Sequence, residues 1–168
     1  MLSLRVGERV PDLELPDHAG NTRRLSDLAG GDPVLLQFFR GWWCPKEQAF
    51  FRVLIDLQDR AEVAYTRFVS ISVDPPEVQA AFRTGIGARW LFLSDAERRW
   101  IDELGLMEVT DTTNRPYLPT VLTLLPDLTI HSAYNGYWFW GRPTRDELHR
   151  DFREISRAIR PDWDPPAS

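Results

Sequence analysis

The sequence predicts an α/β fold: a mixed central sheet flanked by helices, with a short β-hairpin extension at its N-terminal end. Three observations carry that expectation. Val34 to Phe39 and Phe68 to Val73 are nearly continuous apolar runs, the pattern of strands buried on both faces. Each is followed by apolar residues at three- and four-residue steps, the spacing of one helix face. The chain then closes with two strand-like runs joined by Pro126-Asp127 and a final helical stretch. Strand–helix units in this order lay helices across a sheet, and the hairpin adds antiparallel strands to it.

Taken in order, Leu13 and Leu15 alternate with polar neighbours, Asp17 to Asn21 supplies a turn, and Ser26 opens a helical turn ending at Gly30-Gly31. After the first buried strand, a turn at Arg40-Gly41 leads to a helix starting near Pro45, with Phe50, Val53, Leu54 and Leu57 on its core face. After the second, Asp74-Pro75-Pro76-Glu77 reads as an N-cap with prolines in the first turn. The helix it opens carries Val78, Ala81 and Phe82. Leu91 to Leu93 is a short strand. Ser94-Asp95-Ala96-Glu97 reads as a capping box for a helix presenting Trp100, Ile101 and Leu104 and stopping at Gly105. Val121–Leu125 and Leu128–Tyr134 form the hairpin. Thr144-Arg145-Asp146-Glu147 is another capping box, and Leu148, Phe152, Ile155 and Ile159 share one face of the last helix, which Pro161 ends. The expectation is one domain over 1–160 and a Pro-rich tail over 161–168.

The 168 residues are 43% hydrophobic and 27% charged, ordinary for a globular protein. A net charge of −5 provides no positive field for nucleic acid or anionic lipid. Met1 to Val10 has no signal-peptide core, and no apolar run approaches the ~20 residues of a membrane span. One cysteine cannot form an internal disulfide, which fits a reducing cytoplasm.

Pro45 suits the first helical position, since its missing N–H has no partner there anyway. Cys44 is then the N-cap, with its sulfur facing the amides of Lys46 and Glu47 at the positive end of the helix dipole. Such a site favours thiolate, the nucleophilic form. Lys46 and Arg40 add positive charge, and Glu47 opposes it unless paired with an arginine. A helix start just past a buried strand also lies at the sheet edge where open α/β folds place their ligands. The alternative is an inert buried cysteine.

These residues carry a family resemblance. Trp42-Trp43-Cys44-Pro45-Lys46-Glu47 resembles the active-site segment of the thioredoxin superfamily, whose redox members commonly read Trp-Cys-x-x-Cys. Glu47 stands at the second cysteine position, as in peroxiredoxins, where Pro-x-Glu follows the peroxidatic cysteine. Val10-Pro11-Asp12-Leu13 through Asp17-His18-Ala19-Gly20 resembles that family's N-terminal hairpin. Ile71-Ser72-Val73-Asp74, Leu93-Ser94-Asp95 and Leu104-Gly105-Leu106 resemble its middle, and Gly141-Arg142-Pro143-Thr144 its entry into the last helix. The likeness runs from about Gly7 to Arg157 and is greatest to the branch named after alkyl hydroperoxide reductase and thiol-specific antioxidant.

The resemblance implies a thioredoxin-like fold and a one-cysteine peroxidase without a cofactor. Cys44 would reduce a hydroperoxide, and an external thiol (thioredoxin, glutaredoxin or a small thiol) would restore it. Glu47, Arg40 and an arginine from Arg115 or Arg142 would shape the site. Gly41, Trp42, Trp43, Pro45, Pro119 and Thr120 would line it. Two departures predict slow chemistry. Gly41 and Gln37 replace the family's threonine and proline before the cysteine. Thr120 aligns with its activating arginine, with Arg115 five residues earlier. One preorganised donor is typically worth about 3–4 kcal/mol. Leu118-Pro119-Thr120 resembles the thioredoxin segment whose proline is cis, so a cis Pro119 is expected. The alternatives are a monothiol exchange protein or redox sensor, and a binding module in which the cysteine is incidental.

Other features carry less. Tyr134, Tyr137, Trp138, Phe139 and Trp140 read as packing, with an apolar wall beside Cys44 or a homodimer surface as the functional alternative. His18, His131 and His149 lie far apart, so no metal site is expected. Arg145, Arg150, Arg153, Arg157 and Arg160 alternate with acids as a solvated helix face. Gly85-Ile86-Gly87 lacks the context of a phosphate loop.

Overall fold

The computed structural model describes residues 4–136 and 141–162. A five-stranded sheet of order β5-β4-β3-β6-β7 forms its centre. β3 (Val34–Phe38), β4 (Arg67–Ser72) and β5 (Leu91–Ser94) run parallel. β6 (Thr120–Leu124) and β7 (Ile130–Asn135) form the antiparallel hairpin. A separate two-stranded ribbon, β1 (Glu14–Pro16) with β2 (Thr22–Arg24), precedes it. Its turn is tied by Asp17, whose carboxylate accepts from the Ala19 and Asn21 amides and from Arg23.

Five helices complete the described chain. α1 (Leu25–Ala29) and α4 (Arg99–Glu103) cover one face, and α2 (Pro45–Val63), α3 (Pro76–Ile86) and α5 (Arg145–Ile159) the other. Successive strand side chains alternate between faces. Leu36, Phe38, Val69, Ile71 and Leu122 accordingly join Leu25, Ile101 and Tyr117, whereas Leu35, Phe92 and Val121 join Phe51, Leu54 and Leu148. Every side chain of β3 is buried, as its nearly continuous apolar run predicts. No described helix is long and apolar enough to cross a membrane.

Helix starts depart from the sequence reading in two places. α3 is capped at Pro75 rather than Asp74, because the Asp74 carboxylate is taken by Ser72 Oγ and the Trp42 amide. Ser94 to Glu97 is not a capping box. α4 begins at Arg99, and Asp95 reaches forward to accept from the Trp100 and Ile101 amides and the Tyr117 hydroxyl. Ala81 and Ile159 are exposed rather than core. The Thr144–Glu147 capping box forms with both reciprocal bonds.

Candidate active site

Parallel strands deliver their C-terminal ends to one sheet edge, and the chemistry-bearing residues gather there. β3 ends at Phe38, directly opposite Thr120 at the start of antiparallel β6. The next residues turn over the edge, with the Cys44 amide donating to the Gly41 carbonyl at 3.2 Å. Gly41 has φ +154°, and a Cβ there would stand 2.5 Å from Trp43 Nε1. The indole and a side chain at position 41 cannot share that space. Cys44 then caps α2 with extended backbone, Pro45 takes the first helical position, and the Gln48 amide donates to the Cys44 carbonyl.

Cys44 is 2% exposed. Its sulfur takes no hydrogen bond from the helix amides, contrary to the sequence expectation for Lys46 and Glu47. Sulfur is a weaker acceptor than the oxygen of the usual N-cap residues. The donor is instead Arg40, whose Nη1 lies 4.0 Å from Sγ. Arg40 Nη2 meets Asp111 Oδ2 at 3.0 Å and Glu108 Oε2 at 3.9 Å. The Trp43 ring packs on the guanidinium at 5.0 Å. The Arg40 side chain is 25% exposed, so the guanidinium beside the buried sulfur reaches solvent.

The two carboxylates are held in turn. Glu108 accepts from the Thr110 and Asp111 amides, and Asp111 from the Thr113 and Asn114 amides. These bonds, chiefly from Asn114, with the Arg40 charge, hold the Asp111 carboxyl below its usual range. On the helix side, the almost fully buried Glu47 accepts from Arg142 Nη2 at 2.8 Å and Nε at 3.4 Å, and more weakly from the Arg40 amide. Gly141 makes this reach possible: at φ +99° it lies so close to the Asn135 carbonyl that a Cβ would collide with it. Asp74, two residues past β4, accepts from the Trp42 amide at 3.2 Å. Burial pushes its carboxyl up against those hydrogen bonds.

Cys44, Arg40, Gly41, Trp43, Pro45, Glu47 and Arg142 thus converge, and Trp42 is tethered at the rim with its side chain 48% exposed. Pro119 and Thr120 sit buried at the same edge. No described peptide bond is cis, which corrects the expectation for Pro119. Its carbonyl accepts from the Gly136 amide, and the trans isomer is the lower-energy state wherever the fold does not enforce the other. Arg115 does not join the cluster. It is exposed, with φ +45°; its amide donates to the Asp111 carbonyl and its own carbonyl accepts from Arg98 Nε. Asp111, Glu108 and Asp74 escaped the sequence reading, because sequence separations of 71, 68 and 34 residues from Arg40 give no local signal. Tyr137 to Trp140 lie outside the described residues.

His131 does find acidic neighbours across β7 and α5, with ligand atoms of His131, Asp151 and Glu154 within 4.8 Å of one another. Asp151 is already engaged by Tyr134, Thr123 and Arg150.

Comparison with known proteins agrees with this layout. Residues 6–131 match the model of the AhpC/TSA family. The chain belongs to the AhpC/TSA family. The Mycobacterium tuberculosis protein named "Putative peroxiredoxin Rv1608c" is 40% identical over 97 residues, 56% of this chain and 61% of that relative. The crystal structure of peroxidoxin BcpB from the same organism superposes with a TM-score of 0.78 at 25% identity, covering 94% of this chain and 99% of that one. A yeast mitochondrial 1-Cys peroxiredoxin shares the fold, with a TM-score of 0.80 at 14% identity over 98% of this chain and 85% of its own.

Proposed function

We propose that this protein is a one-cysteine thiol peroxidase acting through Cys44. The observation that carries the reading is the Arg40 guanidinium 4.0 Å from the lone sulfur, at the C-terminal edge of the parallel strands in an AhpC/TSA fold. A fixed cation there stabilises the charge that grows on the departing oxygen.

In the proposed reaction the Cys44 thiolate attacks the terminal oxygen of a hydroperoxide. The S–O bond forms as the O–O bond breaks, oxidising sulfur by two electrons, and the alkoxide leaves and takes a proton from water. One external thiol converts the resulting sulfenic acid to a mixed disulfide with loss of water. A second releases the Cys44 thiol and a small disulfide. The absence of a second cysteine from the chain supports an external reductant, such as thioredoxin, glutaredoxin or a small thiol. Glu47 fixes Arg142 and the first turn of α2, while Gly41, Trp42, Trp43, Pro45, Pro119 and Thr120 shape the approach to the sulfur. A single domain over 1–160 with a Pro-rich tail over 161–168, acting in the cytoplasm, completes the reading; the lone thiol supports the compartment.

Turnover of hydrogen peroxide and an organic hydroperoxide by excess thiol tests it. The wild type should consume both, and Cys44→Ser should reduce consumption to the uncatalysed rate. Equal consumption by the two proteins would refute the reading.

A further inference from the structure

Glu108 and Asp111 lie in the connection between α4 and β6, and the peroxidase reading leaves them without a task. Both are fixed by backbone amides of their own loop, so neither needs an arginine for a partner. Yet both point at one guanidinium nitrogen, Arg40 Nη2. The Trp43 indole holds the guanidinium plane, and Nη1 is left to Cys44 Sγ. Arg40 Nε is buried without a hydrogen-bond partner, an unfavourable arrangement for a polar group. The guanidinium is therefore oriented by its two terminal nitrogens at the expense of its own hydrogen-bond count. That is the mark of a group placed for its position.

We propose that Glu108 and Asp111 are positioning residues that pin Arg40 at the Cys44 sulfur. The proposal rests on the thiol peroxidase reading and deepens it. Without the pins the guanidinium is free to swing into solvent on its flexible stem, and the peroxide loses an ordered donor. Two acidic groups on one guanidinium also lower its net charge toward the sulfur. The gain is therefore geometric, and it should appear in peroxide chemistry rather than in general thiol reactivity.

The test uses Asp111→Asn, Glu108→Gln and the double variant. For each, the rates of Cys44 oxidation by hydrogen peroxide and of alkylation by iodoacetamide are measured at one pH, alongside the Arg40 Nε–H signal in ¹⁵N-labelled protein. Peroxide oxidation should fall about tenfold in Asp111→Asn and about a hundredfold in the double variant, the latter approaching the loss of one preorganised donor. Alkylation should change by less than about threefold, and Asp111→Glu should recover part of the loss, as expected where charge rather than packing is at stake. The Arg40 signal should shift or broaden as the pins are removed. Parallel falls in both reactions, or an Arg40 signal unchanged in the double variant, would overturn the proposal. A wild type no faster than free cysteine would sink the peroxidase reading instead, and the Arg40 signal would still decide the pinning.

Discussion

Removing Arg142 should destabilise the fold by several kilocalories per mole, and removing Glu47 with it should restore most of the loss. Arg142→Met keeps the aliphatic stem that packs on Gly136 and deletes only charge and donors. Glu47 then stays buried, having lost contacts at 2.8 and 3.4 Å, with only the Arg40 amide at 3.4 Å left. Two unit charges 2.8 Å apart attract by about 6 kcal/mol at an effective dielectric of about 20, and desolvation opposes much of that. Breaking a buried pair from one side typically costs about 3–5 kcal/mol. For a chain of this size, about 2–4 °C accompanies each kcal/mol, so thermal unfolding should move down by roughly 6–20 °C. Arg142→Met/Glu47→Leu should recover most of it, because an apolar pair of similar volume carries no stranded charge. Urea unfolding of wild type, both single variants and the double gives the coupling energy. An Arg142→Met cost below about 1 kcal/mol, or a double variant as weak as the sum of the singles, would refute the reasoning.

Three further outcomes follow from the same geometry. Gly41→Ala should displace the Trp43 indole and slow Cys44 oxidation, with a stability loss of about 1–3 kcal/mol; unchanged tryptophan fluorescence and oxidation rate would contradict the contact. Asp74 has a carboxyl raised by burial, so its contribution to stability is present below the ordinary value of 3.8 and lost as pH rises through the raised one. Asp74→Asn should therefore gain on wild type between acid and neutral pH in thermal unfolding, and a loss over that interval would contradict a carboxyl raised by burial. Tyr117→Phe removes a 2.6 Å bond to buried Asp95, and its denaturation midpoint should fall by the equivalent of about 1.5–3 kcal/mol. A change under about 0.5 kcal/mol would show that the Trp100 and Ile101 amides suffice for Asp95.

The buried strands, α2 with its Cys-Pro start, the β6–β7 hairpin and the Thr144 capping box were legible because each is written in adjacent residues. Period, proline placement and reciprocal capping act within a few positions. What the sequence hid is what tertiary packing decides. Asp74 could cap α3 locally, but the Trp42 amide, brought over by the cysteine loop, claims it. Asp95 sits in a plausible capping box, but it serves a helix that begins four residues later and a tyrosine 22 residues away. Among three candidate arginines, the side chain at the sulfur belongs to Arg40, the partner of Glu47 is Arg142, and Arg115 joins neither; nothing in their spacing separates them. The helix start at Cys44 was legible, the electrostatic setting of its sulfur only in part. The helix amides were the expected donors, and a guanidinium fixed by distant carboxylates takes their place.

Peroxidase chemistry here requires that the Cys44 sulfur itself react with peroxide. Reduced protein given one equivalent of hydrogen peroxide with dimedone present, then read by intact mass and peptide mapping, tests it most directly. The sulfenic-acid adduct should form on Cys44 alone, faster than on free cysteine under the same conditions and slowed at least tenfold in Arg40→Met, the loss of one ordered donor. A Cys44 that remains unmodified, or oxidises no faster than free cysteine, would contradict it.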